Sequence, residues 1–245
     1  MSLDTWQWVL VVIGALLVGM SKAGLAGLGM LFVAIMANVM PTKESSGFVL
    51  PLLIVGDLVV VSAYWRHTKW RHVVRLFPGT AVGVVAGYFA MDRITNAQAS
   101  VLIGSIITVM VAIQVWRRWR GTEVDPEKHG AGFAIVMGVL AGFTTLIANA
   151  AGPLMTLYLL AMRLPKMEFV GTAASFFLLL NLFKVPFMVD LGLITTASFS
   201  TNLLLAPAVV VGALVGKRVL HYINQKLFEN LALGMSAVAG LKLLF

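Results

Sequence analysis

Residues 131–162 read AGFAIVMGVLAGFTTLIANAAGPLMTLYLLAM and contain no Asp, Glu, Lys, Arg or His. The run is interrupted at Thr144-Thr145-Leu146-Ile147-Ala148-Asn149-Ala150-Ala151-Gly152-Pro153. That divides it into two helices, expected over Ala131–Ile147 and Ala151–Met162, each short against the roughly 20 apolar residues a spanning helix needs. A re-entrant or tightly bent helical hairpin is the natural reading. Its polar tip must lie inside protein, where the freed backbone groups find partners. Pro153 falls at the start of the second arm, where its missing N–H costs least.

Near the amino terminus the pattern recurs. Trp6–Met40 is broken at Gly19-Met20-Ser21-Lys22-Ala23-Gly24, giving arms Trp6–Met20 and Gly24–Met40. Further apolar runs predict helices at Ser46–Trp65, Val73–Met91, Ala97–Trp116, Phe169–Val189, Ala197–Val215 and Leu227–Phe245. Composition agrees: 60% of the 245 residues are hydrophobic and 11% charged, against a soluble average of about 45–50% and about 25%. The expectation is an all-α polytopic membrane protein in the lipid bilayer, with no separate soluble domain. The amino terminus, MSLDTWQWVL, lacks the basic region of a secretory signal, so the first run is expected to be retained.

The two halves read as diverged copies. Val18-Gly19 corresponds to Ala141-Gly142, Met40-Pro41 to Leu164-Pro165, and Glu44 to Glu168. Pro78, Gly83 and Gly87 share one offset from Pro207, Gly212 and Gly216. Each copy is an interrupted hairpin followed by three transmembrane helices. The first covers residues 1–120, the second 131–245, and 121–130 form a linker.

Charge orients the copies. Of the 18 Lys and Arg residues, 13 lie in four connections: Arg66, Lys69, Arg71 and Arg75; Arg117, Arg118, Arg120 and Lys128; Arg163 and Lys166; Lys217, Arg218 and Lys226. The positive-inside rule makes these cytoplasmic, including the linker, and places both termini on the non-cytoplasmic side. Ser46–Trp65 and its counterpart Phe169–Val189 then run in opposite directions, so the repeats are inverted. Inverted repeats with interrupted helices are a recurrent build of secondary transporters, with substrate bound near the midplane at the breaks.

Ionisable residues inside apolar segments mark functional sites by default. Lys22 lies at the first break beside Ser21, and Gly24 opens a glycine-rich arm whose helix start suits an anion. Close helix packing and a snorkelling lysine would use the same residues. Lys184 and Asn181 sit within Phe169–Val189, and Asp57 lies within Ser46–Trp65 at the position equivalent to Asn181. Asp57 is a candidate for pairing with a lysine or carrying a proton, although a carboxylate bonding backbone at a helix kink fits equally. At the second break Thr144, Thr145 and Asn149 offer uncharged donors, which helix capping alone would also use.

Other classes find little support. The net charge of +8 comes from loops between apolar runs rather than a basic face on a soluble domain, which argues against nucleic-acid binding. Cysteine is absent, excluding disulfides and thiolate chemistry. His67, His72, His129 and His221 lack metal-ligand spacing, and no nucleophile elbow, phosphate loop or paired-carboxylate signature occurs. Neither a metal, a cofactor nor an enzymatic activity is expected.

These motifs, in this order, resemble the sulfite exporter TauE/SafE family of bacterial inner-membrane permeases. The resembling residues are Ser21-Lys22-Ala23-Gly24, Leu50-Pro51-Leu52-Leu53-Ile54 with Asp57, and Tyr64 with Trp70 before Pro78. The second copy adds Asn149-Ala150-Ala151-Gly152-Pro153, Tyr158-Leu159-Leu160, Phe169-Val170-Gly171-Thr172, Asn181 with Lys184, and Pro207 with Gly212 and Gly216. Many relatives carry adjacent glycines in the first hairpin, where this chain reads Gly27-Leu28-Gly29-Met30. The resemblance implies export of sulfite or an organosulfonate such as sulfoacetate across the bacterial inner membrane. The expected mechanism is alternating access, with substrate bound by Ser21, Lys22, Gly24, Thr144, Thr145, Asn149, Asn181 and Lys184, and with Asp57 the candidate for proton coupling and uniport the alternative. A homodimer is the oligomer to test. An anion channel, a membrane enzyme and a structural subunit are the rivals.

Overall fold

The computed structural model describes residues 4–24, 28, 42–91, 93, 95–120 and 131–244. Within them the chain forms α1 (Thr5–Lys22), α2 (Thr42–Tyr64) with a 3-10 turn at Trp65–His67, α3 (Trp70–Ala90) and α4 (Asn96–Arg120). The second half supplies α5 (Ala131–Ala148), α6 (Ala151–Ala161), α7 (Lys166–Asp190), α8 (Thr196–Tyr222) and α9 (Gln225–Leu244). No strand occurs among the described residues. The arm expected over Gly24–Met40, with its glycine-rich start, lies outside them apart from Gly24 and Leu28, as do the 121–130 linker and Lys43 as a side chain.

Among the described residues, five segments are long and apolar enough to cross a bilayer: Thr5–Lys22, Ser45–His67, Trp70–Ala90, Lys166–Asp190 and Thr196–Tyr222. Shorter apolar helices accompany them, including Gly132–Ala148 and Ala151–Ala161 on either side of the second break. Large apolar side chains cover the outside of an apolar core that also holds polar groups. Leu58, Val74, Val82, Phe89, Leu203, Leu204 and Leu214 face outward, while Asp57, Thr80, Thr145, Asn181, Lys184 and Asn202 are buried. That distribution suits a lipid solvent, where apolar side chains need no burial and polar ones do. The chain is a multi-pass α-helical membrane protein.

Helices pack across the halves. The largest interfaces join α3 to α5 and α1 to α8, while α2 lies against α7 and α4 against α9. Glycines set the closeness of the first two. A Cβ on Gly19 would fall 2.0 Å from the Val209 carbonyl oxygen, and one on Gly142 would fall 2.1 Å from that of Thr80. In return, Gly212 meets Leu16 O at 2.1 Å and Gly83 meets Val139 O at 2.1 Å. Gly216 and Gly87 oppose Met20 O and Phe143 O at 2.9 and 3.2 Å. Leu16, Gly19 and Met20 match Val139, Gly142 and Phe143 at a single offset. Thr80, Gly83 and Gly87 match Val209, Gly212 and Gly216 at another. Each of these three glycine contacts of α1 on α8 therefore has a counterpart of α5 on α3, and small residues let backbones approach where lipid supplies no hydrophobic drive.

The helix ends are tied on the basic side. Lys166, in the first turn of α7, donates to the Leu220 carbonyl at 3.1 Å and also to that of Ile223. Both carbonyls lie at the C-terminus of α8, where a cation is favoured. At the opposite end α8 begins with a capping box, in which Thr195 Oγ1 accepts from Ser198 N at 3.1 Å and Ser198 Oγ accepts from Thr195 N at 2.9 Å.

Candidate functional site

Three helices and one break converge on a buried polar cluster. Lys22 is the last residue of α1, so the chain turns away there and leaves the side chain to reach across to α2. Its stem passes Gly56, where an added Cβ would meet Lys22 Cγ at 3.1 Å. Its ammonium then lies 2.8 Å from Asp57 Oδ1 and 3.0 Å from Oδ2. The Phe177 ring of α7 faces the same ammonium, 4.6 Å from the ring centroid, a distance at which a desolvated cation gains from the ring quadrupole. Asp57 is 0% exposed and also accepts from Asn181 Nδ2 at 2.7 Å.

One turn further along α7, Lys184 is also 0% exposed. It donates to the Thr145 carbonyl at 2.9 Å, to Thr145 Oγ1 at 3.2 Å and to Asn149 Oδ1 at 2.6 Å. All three acceptors belong to the α5 terminus and the break that follows. Asn149 holds that break in place: its φ is +51°, a left-handed value that Asn tolerates better than most residues. Its Nδ2 donates to both Ser46 O and Ser46 Oγ at 3.1 Å, tying the break to α2.

The charges do not cancel. Lys22 and Lys184 contribute two positive charges and Asp57 one negative. Among the described residues no carboxylate pairs with Lys184. Neutral oxygens satisfy its three N–H donors, so with both lysines protonated one positive charge has no carboxylate to balance it. Desolvated charge of that kind carries a penalty of several kcal/mol, which an entering anion would relieve. Lys22, with 12% of its side chain exposed, is the more accessible of the two cations.

The structure brings together Lys22, Asp57, Thr145, Asn149, Asn181 and Lys184 from the residues singled out in the sequence. Three others stand apart from that hydrogen-bonded cluster. The Thr144 hydroxyl donates back to Leu140 O at 2.8 Å, the usual engagement of a mid-helix threonine. Ser21 contributes its carbonyl, which accepts from Gly24 N at 3.2 Å. Gly24 has φ +106°, and a Cβ there would meet Val170 Cγ2 at 2.8 Å, so its place is a turn packed on α7. Ser46 and Phe177 join the site without a signal in the sequence. A serine near a helix start and a phenylalanine in a lipid-rich helix carry no distinguishing pattern there. Their three-dimensional neighbours alone mark them.

Among the described residues no group of three His, Cys, Asp or Glu is placed to hold a metal ion. No curated protein and no solved structure matches this chain. The sequence matches the family described as "Sulfite exporter TauE/SafE" over residues 11–243, nearly its whole length, and the chain belongs to that family of membrane transporters.

Proposed function

We propose that this protein is a secondary transporter that exports a small sulfur oxyanion or organosulfonate, with sulfite the first substrate to test, across the bacterial inner membrane. One observation carries the reading: the Lys22/Asp57/Lys184 cluster is hydrogen-bonded through Thr145, Asn149 and Asn181, with Asp57 and Lys184 fully buried, and sets two lysines against one carboxylate. A monoanion or dianion displacing Asn149 or Asp57 from a lysine would gain charge-assisted hydrogen bonds in a low-dielectric setting. Ser21, Gly24 and Thr144 flank this centre and would join it only if the breaks rearrange.

Alternating access gives the same cluster two exits. The mirrored glycine contacts of α1 on α8 and α5 on α3 support two inverted repeats, residues 1–120 and 131–245, rocking about a shared centre. The cytoplasmic side is the end bearing Arg66 to Arg75 and Lys217 to Lys226, which leaves both termini outside. Asp57 couples transport to protons. Protonated, it would release Lys22 to the substrate; ionised, it reclaims Lys22 and expels the anion.

The test is uptake into everted vesicles and proteoliposomes across sulfite, sulfonates, sulfate and carboxylates, with and without a pH gradient. Saturable flux of a sulfur anion, driven by the gradient, supports the proposal. Non-saturating conductance would make the protein a channel, and absence of anion movement under every condition would remove the transport reading.

A further inference from the structure

The Lys22 ammonium has two holders of different kinds. Asp57 takes it with both carboxylate oxygens, at 2.8 and 3.0 Å, and the Phe177 ring lies against it, 4.6 Å from ammonium to ring centroid. A carboxylate attracts an ammonium and neutralises it. An aromatic face attracts it through the ring quadrupole and leaves the full charge in place. The difference matters when the pair opens, because with Asp57 protonated the ionic partner is lost and the ring keeps its hold. Lysine carries its charge on a flexible four-carbon stem, and 12% of this side chain is exposed. An ammonium released by Asp57 with nothing else to hold it would swing toward water.

The helices place the ring for this role. Phe177, Asn181 and Lys184 follow one another along a single face of α7 at helical spacing, and they meet Lys22, Asp57 and the break at Thr145 and Asn149 in turn. The Phe176 ring, 0% exposed, meets the Phe177 ring at 5.5 Å between centroids and 68° between planes, an edge-to-face arrangement that fixes its orientation. On α2 the Lys22 stem passes Gly56, where an added Cβ would fall 3.1 Å from Lys22 Cγ, so that helix gives the lysine room without gripping it. We propose that Phe177 is a positioning residue for transport, which keeps the Lys22 ammonium in the site, charged and uncompensated, while the anion replaces Asp57 as its partner. The role rests on the transport reading above.

The test is saturable sulfite flux in proteoliposomes of the full chain, with mono-, di- and trifluorophenylalanine placed at position 177 by nonsense suppression and size-exclusion profiles confirming that each protein is folded. Each fluorine draws electron density from the ring face and weakens its hold on a cation with little change in size. KM should rise stepwise along the series, about 5- to 30-fold by the trifluoro ring, while kcat stays within about twofold. Phe177→Leu should raise KM at least as far. A ring that only fills space gives one KM for all four rings, and that result would overturn the role while sulfite flux and the transport reading stand. A fall in KM along the series would overturn it too, because the ring face would then be meeting the anion rather than the lysine. Absence of sulfite flux in the wild type would instead defeat the transport reading, and this role with it.

Discussion

Breaking the Lys22–Asp57 pair from either side should be far more damaging than removing it whole. The carboxylate is fully buried and receives the ammonium at 2.8 and 3.0 Å together with Asn181 at 2.7 Å. Lys22→Met leaves that carboxylate with one neutral donor, and Asp57→Asn leaves a desolvated ammonium facing two neutral amides and the Phe177 ring. Stranding one member of a buried pair costs about 3–5 kcal/mol, whereas replacing both is often neutral. In the double variant, the amide introduced at position 57 keeps an oxygen to accept from Asn181, so no new orphan arises. Each single substitution should therefore lower stability by about 3–5 kcal/mol and the pair together by no more than about 1 kcal/mol, a coupling large enough to measure. Unfolding of the purified protein in mixed micelles by titrated denaturing detergent gives the four values. Additive losses, with the double variant as unstable as the sum of the singles, would show that the pair is not a coupled buried unit.

Three further outcomes follow from the geometry. Gly19→Ala and Gly142→Ala, whose methyl groups would fall 2.0 and 2.1 Å from opposing carbonyl oxygens, should each destabilise by about 1–3 kcal/mol and by similar amounts; melting in detergent would read this, and a silent member of the pair would break the mirror relation. Asp57→Asn should retain downhill sulfite exchange in proteoliposomes but lose accumulation driven by a pH gradient; retained accumulation would exclude Asp57 as the proton carrier. Because the chain has no native cysteine, single cysteines at Arg66 and at Asp4 should be labelled by an impermeant maleimide from opposite sides of the membrane, Arg66 from the cytoplasm; labelling of both from one side would refute the orientation.

The membrane fold was legible because apolar runs and their basic flanks are written along the chain. Helix ends were less so. The apolar run ending at Val215 continues as helix to Tyr222, since Lys217 and Arg218 end the hydrophobicity without breaking the backbone hydrogen bonds. Likewise α2 begins at Thr42, four residues before the apolar run. The break after α5 was visible in its polar residues and Pro153, and Asn149 occupies the left-handed position there.

Within the site, Lys22, Asp57, Asn181 and Lys184 stood out as costly residues in apolar helices. The sequence could not tell which lysine would take the carboxylate. Asp57 and Lys184 lie a turn apart in repeat register, and only the packing of α1 beside α2 gives Asp57 to Lys22 and leaves Lys184 to Thr145 and Asn149. Thr144 and Thr145 are neighbours, yet the helical rotation of about 100° between them turns one hydroxyl back onto α5 and the other toward Lys184.

The most direct test of the uncompensated buried cation is the sulfite flux of Lys184→Met in proteoliposomes, compared with wild type at matched, monodisperse reconstitution. Losing one charge-assisted hydrogen bond, about 1.5–3 kcal/mol, should lower kcat/KM by roughly 10- to 100-fold. Flux within about twofold of wild type would contradict the account, because the anion would then be moving without the charge proposed to hold it.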